Sequence, residues 1–83
     1  MEQGTVYFFT GLSGAGKTTL GGLFYRRRKA QRSNVVLLDG DQIRPVYNED
    51  IGYSDAGRLK GAQRTFRVAD MLARQGIDVV VCS

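Results

Sequence analysis

The chain has 83 residues, 42% of them hydrophobic, and its 12 Lys and Arg against 8 Asp and Glu give a net charge of +4. The length allows one small domain, no stretch approaches the roughly 20 apolar residues of a membrane span, and the lack of histidine excludes the commonest general base and zinc ligand. A single cysteine, Cys82, cannot form a disulfide within the chain, and the amino terminus has no basic segment of a secretory signal, so we expect a reducing cytoplasm.

Apolar runs of strand length alternate with helical segments along the whole chain. The predicted elements are strand 5–10, helix 17–31, strand 34–39, loop 40–54, helix 55–75 and strand 77–82. Largely apolar runs such as 35–38 and 77–81, the second of which includes Asp78, are typical of strands that are covered on both faces. The alternation therefore predicts an α/β fold with a parallel sheet and right-handed crossovers.

A glycine-rich segment connects the first strand to the first helix. Residues 11–18 read GLSGAGKT and fit the phosphate-binding pattern G-x-x-x-x-G-K-[ST]. Its glycines let several backbone N–H groups point at one anion, while Lys17 can reach the β- and γ-phosphates and the Thr18 hydroxyl can hold Mg²⁺. An ordinary turn would not need the Lys-Thr pair. The candidate nucleotide-binding residues are Gly11, Ser13, Gly14, Ala15, Gly16, Lys17, Thr18 and Thr19.

The first helix carries a glycine pair and a basic run. We interpret Gly21 and Gly22 as a site of close packing against the sheet, since each weakens a helix by about 1 kcal/mol. The basic residues 26–29 and Arg32 follow near the helix end. They either complement the negative pole of the helix or form a nucleic-acid patch, and we favour the first interpretation and expect no nucleic-acid partner.

Two carboxylates and an arginine follow the second strand, in the segment 38–44, LDGDQIR. Ligands of open α/β sheets bind beyond the carboxyl ends of the strands, which is also where the glycine-rich segment lies. We expect Asp39 and Asp41 on the same side of an extended segment. One carboxylate could act on Mg²⁺ through water, and the other could orient an acceptor hydroxyl and take its proton. The alternative, Asp-Gly turn chemistry, is the weaker one beside a phosphate-binding loop.

The second helix has recognisable ends and a predicted apolar stripe. Ser54 or Asp55 is expected as its N-cap, and Gly76 is suited to end it. The stripe comprises Phe66, Ala69, Leu72 and Ala73.

More cations and an aromatic residue lie around the start of this helix. Arg58 and Arg64 are six residues apart and could join Arg44 in a cradle for a second anion, with Tyr53 stacking on a base. The alternatives are solvated surface charges and a packing role for the tyrosine. With carboxylates, cations and no histidine, phosphoryl transfer is the reaction class that suits these residues.

The glycine-rich segment, the LDGDQIR segment and Gly52-Tyr53-Ser54 with Arg58 together resemble the adenylylsulfate kinase (APS kinase) family, over about residues 5–83. The family transfers the γ-phosphate of ATP to the 3′-hydroxyl of adenosine 5′-phosphosulfate (APS), giving PAPS. The resemblance implies an ATP- and Mg²⁺-dependent phosphotransferase. It also implies a three-layer P-loop NTPase-type sheet, of which residues 1–83 form one partial domain, the first β-α-β-α-β portion.

The resemblance also implies a role for each matching residue. Lys17 and Thr18 would serve ATP and Mg²⁺, with Asp39 near the metal and Asp41 near the acceptor hydroxyl. Substrate would further be bound by Arg44 and Arg58, at the phosphosulfate end of APS, and by Tyr53, which replaces a family phenylalanine and would stack on the adenine.

The chain departs from the family pattern in the second helix and in length. Gly61 replaces an asparagine that contacts substrate in the family, Gln63 replaces an arginine, and Lys60 replaces an acidic residue. Two alternatives therefore stay open: a kinase that acts on another alcohol, and a nucleotide-binding module without catalytic activity. Family members are about twice as long, and three strands leave a sheet edge uncovered. We therefore expect a missing carboxyl-terminal half or self-association, with weak nucleotide binding and little turnover by this chain alone.

Overall fold

In the computed structural model of the chain, the residues described are 2–9, 17–47 and 54–82, excluding the side chains of residues 17–19, 41 and 44. The strands are β1 (Val6–Phe9), β2 (Val35–Asp39) and β3 (Asp78–Cys82), and the helices are α1 (Lys17–Gln31), α2 (Gly40–Ile43) and α3 (Asp55–Arg74). A 3₁₀ turn (Arg44–Tyr47) follows α2. The three predicted strands and two long helices are confirmed almost to the residue, whereas the predicted loop 40–54 is wrong over 40–47, which is helical.

The described strands form one parallel sheet in the order β1-β3-β2. Val79 of β3 pairs with Val6 of β1 and with Val36 of β2, so the last strand of the chain is the central one. Every residue of β3 is buried, as its apolar run over 79–82 predicts, and the burial includes the charged first residue, Asp78.

Helices cover both faces of this sheet and make three layers. On one face, Phe24 and Tyr25 of α1 pack against a core of Val35, Val80 and Cys82. On the opposite face, Ala69 of α3 packs with Val79 and Val81, bordered by partly buried Val6, Val36, Leu38, Leu72 and Ile77. The predicted α/β class is confirmed. None of the described helices has the length and apolarity needed to cross a membrane.

The glycine pair of α1 divides into one tight position and one open position. A Cβ on Gly21 would collide with the Sγ atom of Cys82 and lie 3.5 Å from the ring of Phe9. A Cβ on Gly22 would meet only a guanidinium nitrogen of Arg26, at 4.0 Å. The prediction of close packing is therefore confirmed for Gly21 and wrong for Gly22, and buried Cys82 is the reason for the difference.

Local caps fix both ends of α3. The Ser54 hydroxyl accepts a hydrogen bond from the Gly57 N–H at 3.1 Å, which confirms Ser54 as the N-cap. At the other end Gly76 has φ of 84°, and its N–H donates to the carbonyl of Ala73 at 3.0 Å. This left-handed residue turns the chain back into β3, as predicted.

The face that α3 buries differs from the predicted stripe. Its buried residues recur every four positions: Gly57, Gly61, Thr65, Ala69 and Ala73. Ala69 and Ala73 were predicted, but Phe66 is 48% exposed and stacks on Phe8 with ring centroids 4.7 Å apart. Small residues form the contact because they let the helix axis approach the sheet closely, which a phenylalanine on that line would prevent.

A buried carboxylate explains much of the basic run. Asp78 is 2% exposed, and its Oδ1 atom accepts a hydrogen bond from the N–H of Thr5 at 2.9 Å. Its Oδ2 atom lies 3.6 Å from a nitrogen of Arg28 and 3.4 Å from one of Arg32. Arg28 also donates to the hydroxyl of Tyr7 at 2.8 Å. Two cations at the end of α1 thus neutralise a charge that burial would otherwise make very costly.

The glycine pair supplies a matched test of packing. We expect Gly21→Ala to lower the free energy of unfolding by about 1–3 kcal/mol, because the new methyl group overpacks against Cys82. We expect Gly22→Ala to raise it by about 1 kcal/mol through helix propensity. Urea denaturation measures both, and adding Cys82→Ala to Gly21→Ala should recover part of the loss. Equal effects of the two alanines would contradict this account.

Buried and exposed ion pairs supply a second matched test. Asp78→Asn should cost about 2 kcal/mol of unfolding free energy, since it removes a buried charge that holds one N–H group and two guanidinium groups. The control is Asp70→Asn, where an exposed carboxylate pairs with Arg74 at 3.0 Å, and it should cost less than about 0.5 kcal/mol. Thermal or urea unfolding would refute the assignment if the two losses were the same.

Candidate phosphate-transfer site

The parallel sheet brings the carboxyl ends of its strands to one edge. Phe9 of β1 and Asp39 of β2 both pair with Cys82 of β3, so the last residues of the strands lie side by side. The first part of α1 lies at this edge as well, because Gly21 touches both Phe9 and Cys82. The beginning of α1, which follows the glycine-rich segment, therefore lies against the ends of β1 and β3, at the edge where β2 also ends.

The predicted nucleotide-binding residues divide between described and undescribed parts of the chain. Gly11, Ser13, Gly14, Ala15 and Gly16 lie outside the described residues, as does the predicted substrate residue Tyr53. Lys17, Thr18 and Thr19 form the first turn of α1, as the motif requires, and only their backbone is described. Three N–H groups of this first turn belong to the positive end of the helix dipole, the end that favours phosphate.

Asp39 and Asp41 occupy two different elements. Asp39 is the half-buried last residue of β2, and Asp41 is the second residue of α2. The expectation of one extended segment is wrong, because the described ladder ends where Asp39 pairs with Cys82 and the backbone then turns into a helix. Asp39 and Asp41 therefore do not lie on one face of a strand. Different roles for the two residues do not require that they lie on the same face.

Arg58 and its neighbours lie in the first turns of α3. Arg58, Lys60 and Gln63 are exposed, while Gly61 between them is buried. Arg44 begins the 3₁₀ turn, and the structure describes its backbone alone. The described residues thus place Arg58 at the surface of α3, where a cation can reach an anionic ligand at little desolvation cost.

One contact of the 3₁₀ turn could not be predicted from the sequence pattern. Tyr47 ends the 3₁₀ turn, and its hydroxyl bonds to the hydroxyl of Thr65 on α3 at 2.5 Å. Arg64, expected in an anion cradle, donates to the Tyr47 carbonyl at 3.4 Å, and its guanidinium carbon lies 5.8 Å from the ring centroid. No periodicity connects positions 47 and 65, so only the tertiary structure reveals that they meet.

A parallel sheet covered by helices on both faces, with a glycine-rich phosphate-binding motif between its first strand and first helix, defines the P-loop class of nucleotide-binding folds. The model of the adenylylsulphate kinase family matches residues 3–83, so the chain belongs to that family. The resemblance drawn from the sequence motifs is confirmed.

Individual relatives agree with this assignment. The adenylyl-sulfate kinase of Deinococcus deserti is 42% identical over 78 residues, 94% of this chain and 43% of that protein. The bifunctional enzyme NodQ of Rhizobium sp. strain N33 is 38% identical over 80 residues, which are 96% of this chain and 12% of the relative. The structure of the APS kinase CysC of Mycobacterium tuberculosis in complex with AMPPNP and APS superposes with a TM-score of 0.83 and 33% identity, covering 100% of this chain and 48% of that one. The chain thus spans less than half the length of these relatives.

Proposed function

We propose that this chain provides the phosphate-binding and acceptor-activating elements of an APS kinase, which transfers the γ-phosphate of ATP to the 3′-hydroxyl of APS to give PAPS. The observation that carries the proposal is that the start of α1, Asp39 and α2 all lie at the carboxyl edge of one parallel sheet. The APS kinase CysC of Mycobacterium tuberculosis, in complex with AMPPNP and APS, superposes on this same framework. A reducing cytoplasm suits the buried Cys82.

On the nucleotide side, the backbone N–H groups of residues 11–19 would surround the phosphates, with Lys17 on the β- and γ-phosphate oxygens. The Thr18 hydroxyl and the Asp39 carboxylate would hold Mg²⁺, and the half-buried position of Asp39 at the strand end fits a ligand set of oxygens. Bound Mg²⁺ would neutralise charge on the phosphates. Binding and positioning are the contributions of the chain on this side.

On the acceptor side, Asp41 would accept the proton of the 3′-hydroxyl as that oxygen bonds to the γ-phosphorus and ADP leaves. Arg44 and Arg58 would hold the phosphosulfate group by charge-assisted hydrogen bonds, and Tyr53 would stack on the adenine. These assignments follow the family motif at matching positions. The exposed state of Arg58 supports its role, since a bound anion would replace water there.

A second candidate is a kinase of the same fold for a different alcohol. It is favoured by Gly61, which is buried where the family has a substrate-contacting asparagine, and by the exposed Gln63 and Lys60. A coupled ADP-release assay with APS and a panel of other alcohols separates the two. If no acceptor stimulates ADP release while Mg-nucleotide still raises the melting temperature, the chain is a nucleotide-binding module without transfer activity.

Replacing Lys17 tests the nucleotide side. We expect Lys17→Ala to abolish binding of Mg-ATP in titration calorimetry, because the ammonium group is the chain's direct charge on the β- and γ-phosphates. Lys60→Ala removes an equal charge from the exposed face of α3 and should leave ATP affinity unchanged. Retention of full affinity by Lys17→Ala would refute phosphate binding at this loop.

Replacing Asp41 tests the acceptor side. Asp41→Asn should retain Mg-ATP and APS binding while lowering ADP release by at least about 10²-fold, the usual contribution of a general base. The control is Asp70→Asn, which changes an exposed carboxylate on α3 and should keep wild-type turnover. A fully active Asp41→Asn enzyme would place the proton acceptor elsewhere.

A further inference from the structure

The segment Gly40–Tyr47 is attached to the rest of the protein at both of its ends. At the first end, Asp39 is held in the sheet by its register with Cys82. At the second end, Tyr47 contacts Thr65 and Arg64 of α3. The residues between these two attachments form α2 and the 3₁₀ turn, and none of them belongs to the sheet.

The direction of the hydroxyl bond at Tyr47 follows from counting protons. The Thr65 hydroxyl has one proton, and it donates that proton to the carbonyl of Gly61 at 3.0 Å, since a carbonyl can only accept. Thr65 must therefore accept from Tyr47, whose phenol is the donor. Because Thr65 is only 5% exposed, water cannot readily replace this bond.

Arg64 restrains the same tyrosine at two further points. Its Nη1 atom donates to the Tyr47 backbone carbonyl at 3.4 Å, and its guanidinium group lies over the ring, 5.8 Å from the centroid. Hydroxyl, ring and carbonyl of Tyr47 are thus all engaged by adjacent residues of one long helix. A helix of 20 residues that is packed on the sheet is a rigid support for a short turn.

We infer that Tyr47 is a positioning residue: through Thr65 and Arg64 it fixes the backbone that carries Asp41 and Arg44, and so sets where an acceptor is held. Arg44 begins the 3₁₀ turn that Tyr47 ends, and Asp41 lies in the helix that leads directly into it. The inference rests on the proposed function for the roles of Asp41 and Arg44. The attachment of Tyr47 to α3 can be tested without it.

Amide hydrogen exchange tests the attachment in the wild-type chain and in variants that lose one hydroxyl. Tyr47→Phe and Thr65→Val should each speed exchange in residues 41–47 by about fivefold, the effect of one lost hydrogen bond, with β3 unchanged. The double variant should exchange no faster than either single variant, because both remove the same bond. Tyr25→Phe is the control. Tyr25 belongs to α1 and packs against the core of the sheet, and its hydroxyl makes no hydrogen bond within the described residues.

Calorimetry then tests the link to function. Tyr47→Phe should weaken APS binding about fivefold and leave Mg-ATP affinity unchanged, whereas a general loss of structure would weaken both. The inference is overturned if exchange in residues 41–47 does not change, or if Tyr25→Phe changes it equally. It is also overturned if the wild-type chain binds APS and the Tyr47→Phe variant binds it with the same affinity. A wild type that binds Mg-ATP but neither binds nor phosphorylates APS refutes the proposed function, and faster exchange in Tyr47→Phe would then support the attachment independently.

Discussion

The parallel pairing of β3 with both of its neighbours is the constraint on which the candidate site depends. This pairing places Phe9, Asp39 and Cys82 in one row at the carboxyl edge. A parallel strand order needs helices as crossovers, and the helices in turn must begin at the edge where the strands end. The start of α1 and the acidic residues at the end of β2 and in α2 lie at the same edge through this geometry, although 21 positions separate Thr18 from Asp39.

The polar residues at the amino edge and the carboxyl edge of the sheet lie in different environments. At the amino edge, buried Asp78 accepts a hydrogen bond from the N–H of Thr5, and its charge is neutralised by the nearby guanidinium groups of Arg28 and Arg32. At the carboxyl edge, polar residues stand on short helical turns and on the ends of long helices. The neutralised Asp78 links β3 to Thr5, which precedes β1, and to the basic residues at the end of α1, while the residues of the proposed site lie at the opposite edge.

Sequence reasoning succeeded where a signal was local. The Ser54 cap, the turn at Gly76 and the apolar run of β3 each depend on a few neighbouring residues, and all were found. The sequence-based prediction was wrong where one spacing of residues is compatible with two different structures. Phe66 has the spacing of a buried helix face, and only the close approach of α3 to the sheet selects the small residues instead. The spacing Asp39-x-Asp41 is likewise compatible with an extended strand. In the structure the described strand pairing ends at Asp39, and Asp41 lies in a helix.

The sequence by itself determined the family, the α/β alternation and the candidate residues for phosphate and acceptor, because these reside in contiguous motifs with fixed spacing. Tertiary structure alone decided which basic residues neutralise Asp78, which glycine touches Cys82, and that Tyr47 reaches Thr65. Each of these pairs joins residues that are far apart in the chain. Their contact depends on how closely helices pack against the sheet, and that distance is set by the combined volume of many side chains, which no short motif encodes.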